Sequence, residues 1–390
     1  MTSKRANIAV IGLGGRGRSF CDAFAKNPRS QLVAVCDLNP KAVQVVRAKH
    51  GDAVAGYTDA AEMLKRPDID AVVVATHDKD HVGPAIQTLE AGKHCFLEKP
   101  MAQSIADCDA ILRAGRKSGR VLMLGYELRH CVLFEEMHKI IQRGDIGAIK
   151  LANVFDNVSV GGNYFYHDKC RRREYIYNLL LQKACHSIDL LNWFVGAQPR
   201  RVFASSGLDV FGGNEPNDKR CRSCDKKGSC PYAIDHRRFL MDYGATVEKE
   251  DLCVYAKEVD VPDNSLLLID YDNGVRATFT ECHFTPEYTR EFWLVGDKGK
   301  MYGFYNNECE FVIRVTYRHS KKVDEYRPKS PGGGHGGGDP RLHEHFLDCV
   351  LEGRQPDPGP MAGRDSAAIA IAAEESALAG APVTIPPFIP

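Results

Sequence analysis

The sequence lacks an excess of charge of either sign, and it lacks long apolar runs. Lysine plus arginine and aspartate plus glutamate number 51 each among its 390 residues, so the formal net charge is zero. A balanced charge offers no electrostatic basis for binding nucleic acid or a membrane surface. No run of about 18 apolar residues is present, and the first residues contain no apolar core of a signal peptide. We therefore expect neither nucleic acid nor a membrane as a partner.

Cysteine, by contrast, is abundant, with 14 residues. Several cysteines, among them Cys36, Cys95, Cys185 and Cys349, lie in patterns typical of strands or helices, where small buried thiols are common. Because no secretion signal accompanies them, we expect most of these thiols to be reduced and the protein to be cytoplasmic.

A glycine-rich turn follows the first apolar strand. The stretch IAVIGLGGRG (8–17) contains the pattern Gly12-x-Gly14-x-x-Gly17. Gly12 permits a tight turn, Gly14 lets the backbone approach a pyrophosphate, and Gly17 allows close packing of the next helix. The N-terminus of that helix offers N–H groups to phosphates. The turn predicts a dinucleotide site with contacts from Gly12, Leu13, Gly14, Gly15, Arg16 and Gly17.

A carboxylate ends the next predicted strand, LVAVCD (32–37). Asp37 lies 20 residues after Gly17, where a carboxylate accepts hydrogen bonds from the adenosine ribose. It would repel a 2′-phosphate, and the following DLNP supplies no arginine, so the sequence favours NAD over NADP. The alternative is a Rossmann-like domain that binds no dinucleotide.

Strand and helix patterns continue to alternate up to residue 125. This alternation predicts a doubly wound parallel sheet, and the length of the chain predicts two domains. We place a Rossmann domain at 1–125 and a substrate-binding and oligomerisation domain at 126–390. Ligands of such sheets bind beyond the carboxyl ends of the strands. Residues that follow the predicted strands should therefore line the site: Thr76, His77, Glu98, Lys99 and Tyr126.

Two further motifs carry chemistry. The stretch AGKHCFLEKPMA (91–102) ends a predicted strand with Lys99 before a proline, whose ring restricts the lysine backbone. The stretch LLLQKACHSIDLLNW (179–193) is an apolar helical run. Polar residues interrupt it at spacings of three and four, which place them on one face. These residues are Gln182, Lys183, His186 and Asp189.

Together with the glycine turn, these motifs resemble those of the Gfo/Idh/MocA oxidoreductases. That family carries EKP at the end of a Rossmann strand and a histidine followed three residues later by an aspartate. The resemblance implies an α/β fold whose C-terminal domain has a large open, mainly antiparallel sheet. It also implies a homo-oligomer formed through that sheet and a small carbohydrate as the substrate.

The resemblance further implies that Lys99 and His186 act beside the nicotinamide. His186 would take the proton of a substrate hydroxyl, and Lys99 would stabilise charge on the reacting oxygen. Many family members carry an aspartate where this chain has Gln182, which exchanges no protons. Lys183 would then bind an anionic or hydroxyl-rich substrate or share the acid–base work. The alternative is a purely structural His186.

Three other groups are candidate substrate contacts. Arg129 follows the last Rossmann strand, and Tyr166 lies near a run of three arginines, which is either solvated or binds an anion. The stretch SPGGGHGGGDP (330–340) is either a disordered linker or a loop anchored by a helix capped at Asp339. In the second case His335 is a substrate contact or a second proton-transfer group.

The stretch CRSCDKKGSC (221–230) has a spacing that is typical of a structural zinc site. Cys221, Cys224 and Cys230 would be ligands, with His236 or Cys253 as the fourth. Unligated thiols and a disulfide are alternatives. We assign the segment to an insertion at about 210–250 that has an architectural role.

The leading functional hypothesis is an NAD-dependent enzyme that oxidises a secondary hydroxyl of a sugar, cyclitol or glycoside. The alternative is an NAD-dependent glycoside hydrolase, which oxidises C3 transiently, eliminates the aglycone, adds water and reduces the ketone again. A third hypothesis, a non-catalytic sensor with a Rossmann fold, conflicts with the presence of both Lys99 and His186.

Overall fold

The structure is a computed structural model that describes residues 5–234 and 250–390. The chain forms two compact units. The first comprises Met1–Cys131, Pro331–Ala367 and Phe388–Pro390, and the second comprises Val132–Ser330 and Ala368–Pro387. The segment Pro331–Ala367 therefore belongs to the first unit, although the division made from the sequence places it in the second domain.

The first unit contains a six-stranded sheet. Its strands are β1 (Ala6–Ile11), β2 (Ser30–Cys36), β3 (Ala55–Tyr57), β4 (Ala71–Val74), β5 (His94–Leu97) and β6 (Leu122–Leu124). The order is β3-β2-β1-β4-β5-β6, and every pair is parallel. Strand β4 is buried throughout, as expected for a sheet covered on both faces. The strand order reverses between β1 and β4, which makes their carboxyl ends the expected ligand site. The predicted Rossmann architecture is confirmed.

The second unit contains a nine-stranded sheet. Its strands are β7 (Ile149–Asn157), β8 (Pro199–Gly207), β9 (Asn264–Tyr271), β10 (Arg276–Cys282), β11 (Thr289–Gly296), β12 (Gly299–Asn306), β13 (Val312–Tyr317), β14 (Val323–Tyr326) and β15 (Val383–Thr384). The order is β14-β13-β12-β11-β7-β10-β9-β8-β15. The pair β7 and β10 is parallel, whereas the other pairs are antiparallel. The predicted large, mainly antiparallel sheet is confirmed.

The helices follow the apolar periodicity of the sequence. They are α1 (Gly15–Lys26), α2 (Pro40–His50), α3 (Ala60–Leu64), α4 (Val82–Glu90), α5 (Ile105–Ser118), α6 (Val132–Gln142), α7 (Cys185–Val195), α8 (Gly334–Glu352) and α9 (Pro360–Ala379). Local capping sets several ends. For α5, the Ser104 hydroxyl accepts the Asp107 N–H, and Gly119 closes the helix with φ of 62°. No helix in the described part of the chain is long and apolar enough to cross a lipid bilayer.

The two faces of the nine-stranded sheet differ. On β11, Phe292 is fully buried and its ring contacts Phe134 of α6 and Phe194 of α7. The next residue, Trp293, points to the opposite face and is 38% exposed. Because side chains alternate along a strand, helices cover one face while the other presents apolar side chains to the outside.

The glycine-rich loop (residues 331–338) adopts a defined turn at the start of α8. His335, Gly336 and Gly337 have left-handed φ angles of 51°, 64° and 92°, which interrupt the start of α8. A Cβ atom on Gly338 would lie 2.2 Å from the backbone oxygen of Glu127. Glycine is therefore required where α8 approaches the 3₁₀ turn Glu127–His130.

Candidate active site

The glycine turn joins β1 to α1 and leaves one side open. Gly12 has φ of 88°, and a Cβ atom there would lie 2.5 Å from the backbone oxygen of Ala75. A Cβ atom on Gly17 would lie 1.8 Å from the Gly12 oxygen. A Cβ atom on Gly14 would meet nothing within 4 Å. The turn thus has the predicted geometry, with room at Gly14 for a phosphate to approach the backbone.

Asp37 supports the same turn. It follows β2, and its carboxylate accepts hydrogen bonds from the backbone N–H groups of Leu13 at 2.7 Å and Asn39 at 2.8 Å. Thr76 and His77 follow β4, and the Thr76 hydroxyl donates to the Asp80 carbonyl at 3.0 Å. These residues lie at the carboxyl ends of β2 and β4, the two strands that flank β1, as predicted.

Lys99 directly follows Glu98 at the end of β5, and contacts on both sides hold its backbone. The Glu98 carboxylate accepts the Lys99 backbone N–H at 2.9 Å. On the other side, Nδ1 of the buried His81 lies 2.7 Å from the carbonyl oxygen of Pro100. These contacts therefore fix the half-buried Lys99 on the ligand-binding edge of the sheet.

Five ionisable side chains form a charge network (Arg16, Glu98, Glu127, His335 and Asp339). The Arg16 guanidinium contacts Glu98 at 2.7 Å, Glu127 at 3.2 Å and Asp339 at 2.7 Å. Nδ1 of His335 lies 3.0 Å from Glu127 and 2.9 Å from Asp339. The network joins the glycine turn, the ends of β5 and β6, and the glycine-rich loop.

The carboxylates determine the protonation state of His335. Burial disfavours the imidazolium, but Glu127 and Asp339 outweigh this effect and raise the pKa of His335 to about 10. Burial likewise opposes ionisation of Asp339, yet its hydrogen bond with His335 leaves the pKa of Asp339 lowered. His335 is therefore protonated at neutral pH, so it is able to donate a proton but not to accept one.

In the second unit, the polar stripe lies on a helical segment. A π-helical turn, Leu180–Ala184, leads directly into α7. Lys183, His186 and Asp189 are buried, and Gln182 is half-buried. The predicted helix and its polar face are present, and a buried charged stripe needs partners within the unit.

Lys183 finds such a partner in Asp156 of β7. The Asp156 carboxylate accepts hydrogen bonds from the Lys183 ammonium and, at 2.6 Å, from the Ser187 hydroxyl. Nε of Arg290, from β11, lies 3.7 Å from the same carboxylate. Burial opposes the ionisation of Asp156, but Lys183 and Arg290 outweigh it and lower the pKa of Asp156 to about 2. Asp156 is thus ionised at neutral pH, and Lys183 lies in a buried ion pair with it.

An aromatic side chain borders this ion pair. The Lys183 ammonium and the Arg290 guanidinium each lie 5.2 Å from the centre of the Tyr288 ring. The Tyr288 hydroxyl accepts a hydrogen bond from Arg290 at 2.9 Å. Stacking and hydrogen bonding thus hold both cations next to one half-buried phenol.

Comparison with known proteins identifies the family. Its NAD-binding Rossmann-fold domain matches residues 6–126, and its C-terminal alpha/beta domain matches residues 138–385. The chain belongs to the Gfo/Idh/MocA oxidoreductase family. It is an NAD-dependent oxidoreductase, as the glycine turn and the EKP motif predict.

This oxidoreductase is similar in sequence or in structure to other oxidoreductases and dehydrogenases. "Putative oxidoreductase YteT" of Bacillus subtilis (strain 168) is 25% identical over 384 residues, which cover 87% of this chain and 88% of YteT. Myo-inositol 2-dehydrogenase of Thermotoga maritima is 25% identical over 312 residues, covering 76% of this chain and 81% of that protein. A structure of levoglucosan dehydrogenase with NADH and levoglucosan matches with a TM-score of 0.76 at 19% sequence identity. The match covers 98% of this chain and 100% of the levoglucosan dehydrogenase chain. At this identity, the structural match shows a shared fold.

Three predicted substrate contacts of the oxidoreductase lie in packed surroundings. Tyr166 is fully buried, its ring stacks on Phe211 at 4.3 Å, and its hydroxyl donates to the Pro262 carbonyl at 2.9 Å. In this position Tyr166 packs in the core of the second unit, and its contact with a substrate stays a prediction. Arg129 is buried and pairs with Asp357 at 2.7 Å. The ring of Tyr126 is also fully buried.

The arginine run is ion-paired rather than simply solvated. Arg171 is fully buried and pairs with Glu258, which Arg172 also contacts at 3.3 Å. Arg173 pairs with Glu374. These pairs hold the segment that precedes the polar helix and explain its concentration of charge without a ligand.

The cysteine-rich segment gives no support to the zinc prediction. Cys221, Cys224 and Cys230 line one small cavity together with Cys253, and all four are free thiols. Among the described residues, however, no three of these sulfur atoms lie within 4.8 Å of one another. Tetrahedral zinc requires much closer convergence. The other predicted fourth ligand, His236, lies outside the described residues.

The sequence prediction missed several residues of these networks. Glu127, Asp156, Ser187, Tyr288 and Arg290 belong to no recognisable motif. One signal was available: Asp156 occupies an inward position in the alternating pattern of IKLANVFDN, where an unpaired carboxylate would be costly. The register of the sheet pairs Asp156 with Arg290 across β7 and β11.

Proposed function

We propose that this oxidoreductase transfers a hydride between a secondary hydroxyl of a sugar, cyclitol or glycoside and NAD. The observation that carries the proposal is the fixed position of Lys99 at the carboxyl end of β5, where Glu98 and His81 hold the backbone on either side of it. In doubly wound sheets this edge receives the ligand. The names of the relatives, which include an inositol dehydrogenase and a levoglucosan dehydrogenase, support a polyhydroxylated substrate.

In the proposed mechanism, Lys99 hydrogen-bonds the reacting oxygen and stabilises the charge that develops on it. His186 takes the hydroxyl proton during oxidation and returns it during reduction. The ion pair of Lys183 with Asp156 anchors the turn before His186, so Lys183 acts by positioning the helix. Bound NAD would supply the hydride acceptor.

The preference for NAD over NADP remains part of the proposal. Both oxygens of Asp37 accept backbone N–H groups, so the carboxylate is fixed beside the glycine turn. Its charge would repel a 2′-phosphate. We expect NADH to bind at least about tenfold more tightly than NADPH, a difference of about 1.4 kcal/mol. Equal affinities in a fluorescence titration would contradict this assignment.

The competing function is a redox-neutral glycoside hydrolase. One observation favours it: His335 is protonated at neutral pH, and such a hydrolase needs an additional acid to protonate the leaving aglycone. The same fixed cation also fits a dehydrogenase, where it would bind substrate oxygens.

One experiment separates the two functions. The protein is incubated with sub-stoichiometric NAD and, in separate reactions, with myo-inositol, levoglucosan and nitrophenyl glycosides. Reduction of the NAD without cleavage supports the dehydrogenase. Many turnovers of released nitrophenol without net NADH support the hydrolase. If no polyol or glycoside yields either product, the proposed substrate class is wrong.

We further propose a homo-oligomer formed through the nine-stranded sheet. The uncovered face carries apolar side chains that are each more than one third exposed: Leu151, Phe155, Phe203, Leu266, Leu268, Trp293 and Val295. Several are neighbours across strands, such as Phe203 and Leu268. An apolar surface of this extent is typical of a protein interface.

The cytoplasmic location also stays a prediction, and cell fractionation would test it.

A further inference from the structure

The Arg16 side chain extends from the first turn of α1, next to the glycine turn. A cation at this position is an obvious candidate for binding a diphosphate. However, two of its nitrogen atoms already lie within 3.2 Å of three different carboxylates: Nε contacts Glu98, and Nη2 contacts Glu127 and Asp339. A guanidinium surrounded in this way contributes no net positive charge to a phosphate.

The carboxylates that hold Arg16 are themselves tied to two other groups. Glu98 accepts the backbone N–H of Lys99. Glu127 and Asp339 hold the imidazolium of His335. Three carboxylates this close together repel one another unless cations lie between them, and Arg16 contacts all three. Arg16 therefore links the position of Lys99 to the position of His335.

The backbone around the network is built for this contact. His335 adopts a left-handed φ of 51°, which is unfavourable for a residue with a side chain. A Cβ atom on Gly334 would lie 2.1 Å from the Asp339 carboxylate, and one on Gly125 would lie 3.1 Å from the Glu98 carboxylate. Both glycines thus make room for network carboxylates.

We propose that Arg16 is a positioning residue: it holds the glycine-rich loop and the strand-end Lys99 in their working arrangement, and it does not bind the cofactor pyrophosphate. The inference rests on the proposed function, because Lys99 is taken to act beside the nicotinamide. The proposal predicts that the affinity for the cofactor stays nearly unchanged when Arg16 is replaced, whereas loss of a phosphate ligand would weaken binding.

The test compares Arg16→Lys and Arg16→Met with the wild-type protein. Lysine keeps the charge but lacks the planar fork, so it is unable to contact three carboxylates at once. Lys26→Met, an exposed change at the end of the same helix, is the control. Thermal unfolding shows which variants fold, and Arg16→Lys remains informative if Arg16→Met does not.

Three readouts require no substrate. We expect both variants to bind NADH within about threefold of the wild-type Kd, since no phosphate contact is lost. The fluorescence emission of bound NADH should change, because Lys99 moves relative to the nicotinamide. Amide hydrogen exchange in residues 331–339 should accelerate about tenfold or more, since the loop loses its anchor.

The outcomes are distinguishable. An increase of about tenfold or more in the Kd of NADH would make Arg16 a phosphate ligand and overturn the proposal. Unchanged loop exchange or unchanged emission of bound NADH in both variants would overturn it as well. If the wild-type protein itself binds no NADH, the proposed function fails instead, and the loop exchange still tests the structural link.

Discussion

Lys99 and His186 are the side chains whose removal tests the proposed chemistry most directly. We expect Lys99→Ala and His186→Ala each to lower kcat by about 10²-fold or more, because charge stabilisation and proton transfer are lost. The Kd of NADH should remain nearly unchanged. Steady-state kinetics with the substrate found in the polyol screen provide the measurement. Lys41→Ala and His319→Ala, both at exposed positions, are matched controls. A variant that retains full activity would remove that residue from the mechanism.

Asp156 links the polar helix to the sheet of the second unit. Replacing it by asparagine leaves Lys183 and Arg290 as buried cations without a carboxylate, which should destabilise the protein by about 3–5 kcal/mol at pH 7. Urea unfolding would measure this loss. Asp270→Asn, in a more exposed ion pair with Arg201, should cost about 0–1 kcal/mol.

The pH dependence of this loss follows from the lowered pKa of Asp156. A carboxyl whose pKa is lower in the folded state contributes its full stabilisation above its unfolded pKa of about 3.9. That contribution disappears as the pH falls to the folded value of about 2. The difference between wild-type and Asp156→Asn proteins should therefore shrink between about pH 4 and pH 2. A constant difference across this range would show that the ion pair does not stabilise the fold.

At the scale of single elements, α8 depends on close backbone packing. Gly338→Ala places a Cβ atom 2.2 Å from the Glu127 oxygen, so the helix must shift. We expect a loss of about 1–3 kcal/mol in the free energy of unfolding. Gly83→Ala in α4, where a Cβ atom would meet nothing within 4 Å, should instead stabilise the protein by about 0.4–1 kcal/mol.

Denaturant unfolding of both glycine variants separates the steric cost of a Cβ atom at Gly338 from the general stabilising effect of replacing glycine by alanine in a helix. If Gly338→Ala is as stable as Gly83→Ala, α8 leaves room for a Cβ atom beside the Glu127–His130 turn, and the expected clash at 2.2 Å does not occur. Such a result would also weaken the proposed anchoring of the glycine-rich loop.

Some elements were predictable from the sequence, whereas others were not. The β1–α1 glycine turn and the helix with the His186 stripe follow from local periodicity and turn residues. The structure of the glycine-rich loop did not follow in the same way, because glycine permits many conformations. Only the packing of α8 against the Glu127–His130 turn selects one of them.

At the scale of the whole molecule, the uncovered sheet face should decide the state of association. Leu266→Glu and Trp293→Glu each place a charge in this apolar surface. We expect either change to shift the protein from an oligomer to a monomer, because burial of an unpaired charge opposes association. Light scattering during size-exclusion chromatography would measure the mass. Leu378→Glu, at an exposed position on α9, should leave the oligomer intact. A wild-type monomer would contradict the proposed interface.

The sequence by itself determined the parallel Rossmann sheet, the glycine turn, the EKP lysine and the polar helical stripe, since each depends on residues close together in the chain. Tertiary structure alone decided which charges pair. Arg16 reaches Glu127 and Asp339, and Asp156 reaches Lys183 and Arg290, across long stretches of intervening sequence. It also decided that Tyr166 fills a core. The physical reason is that contacts between distant residues depend on strand register and helix packing, which local patterns do not specify.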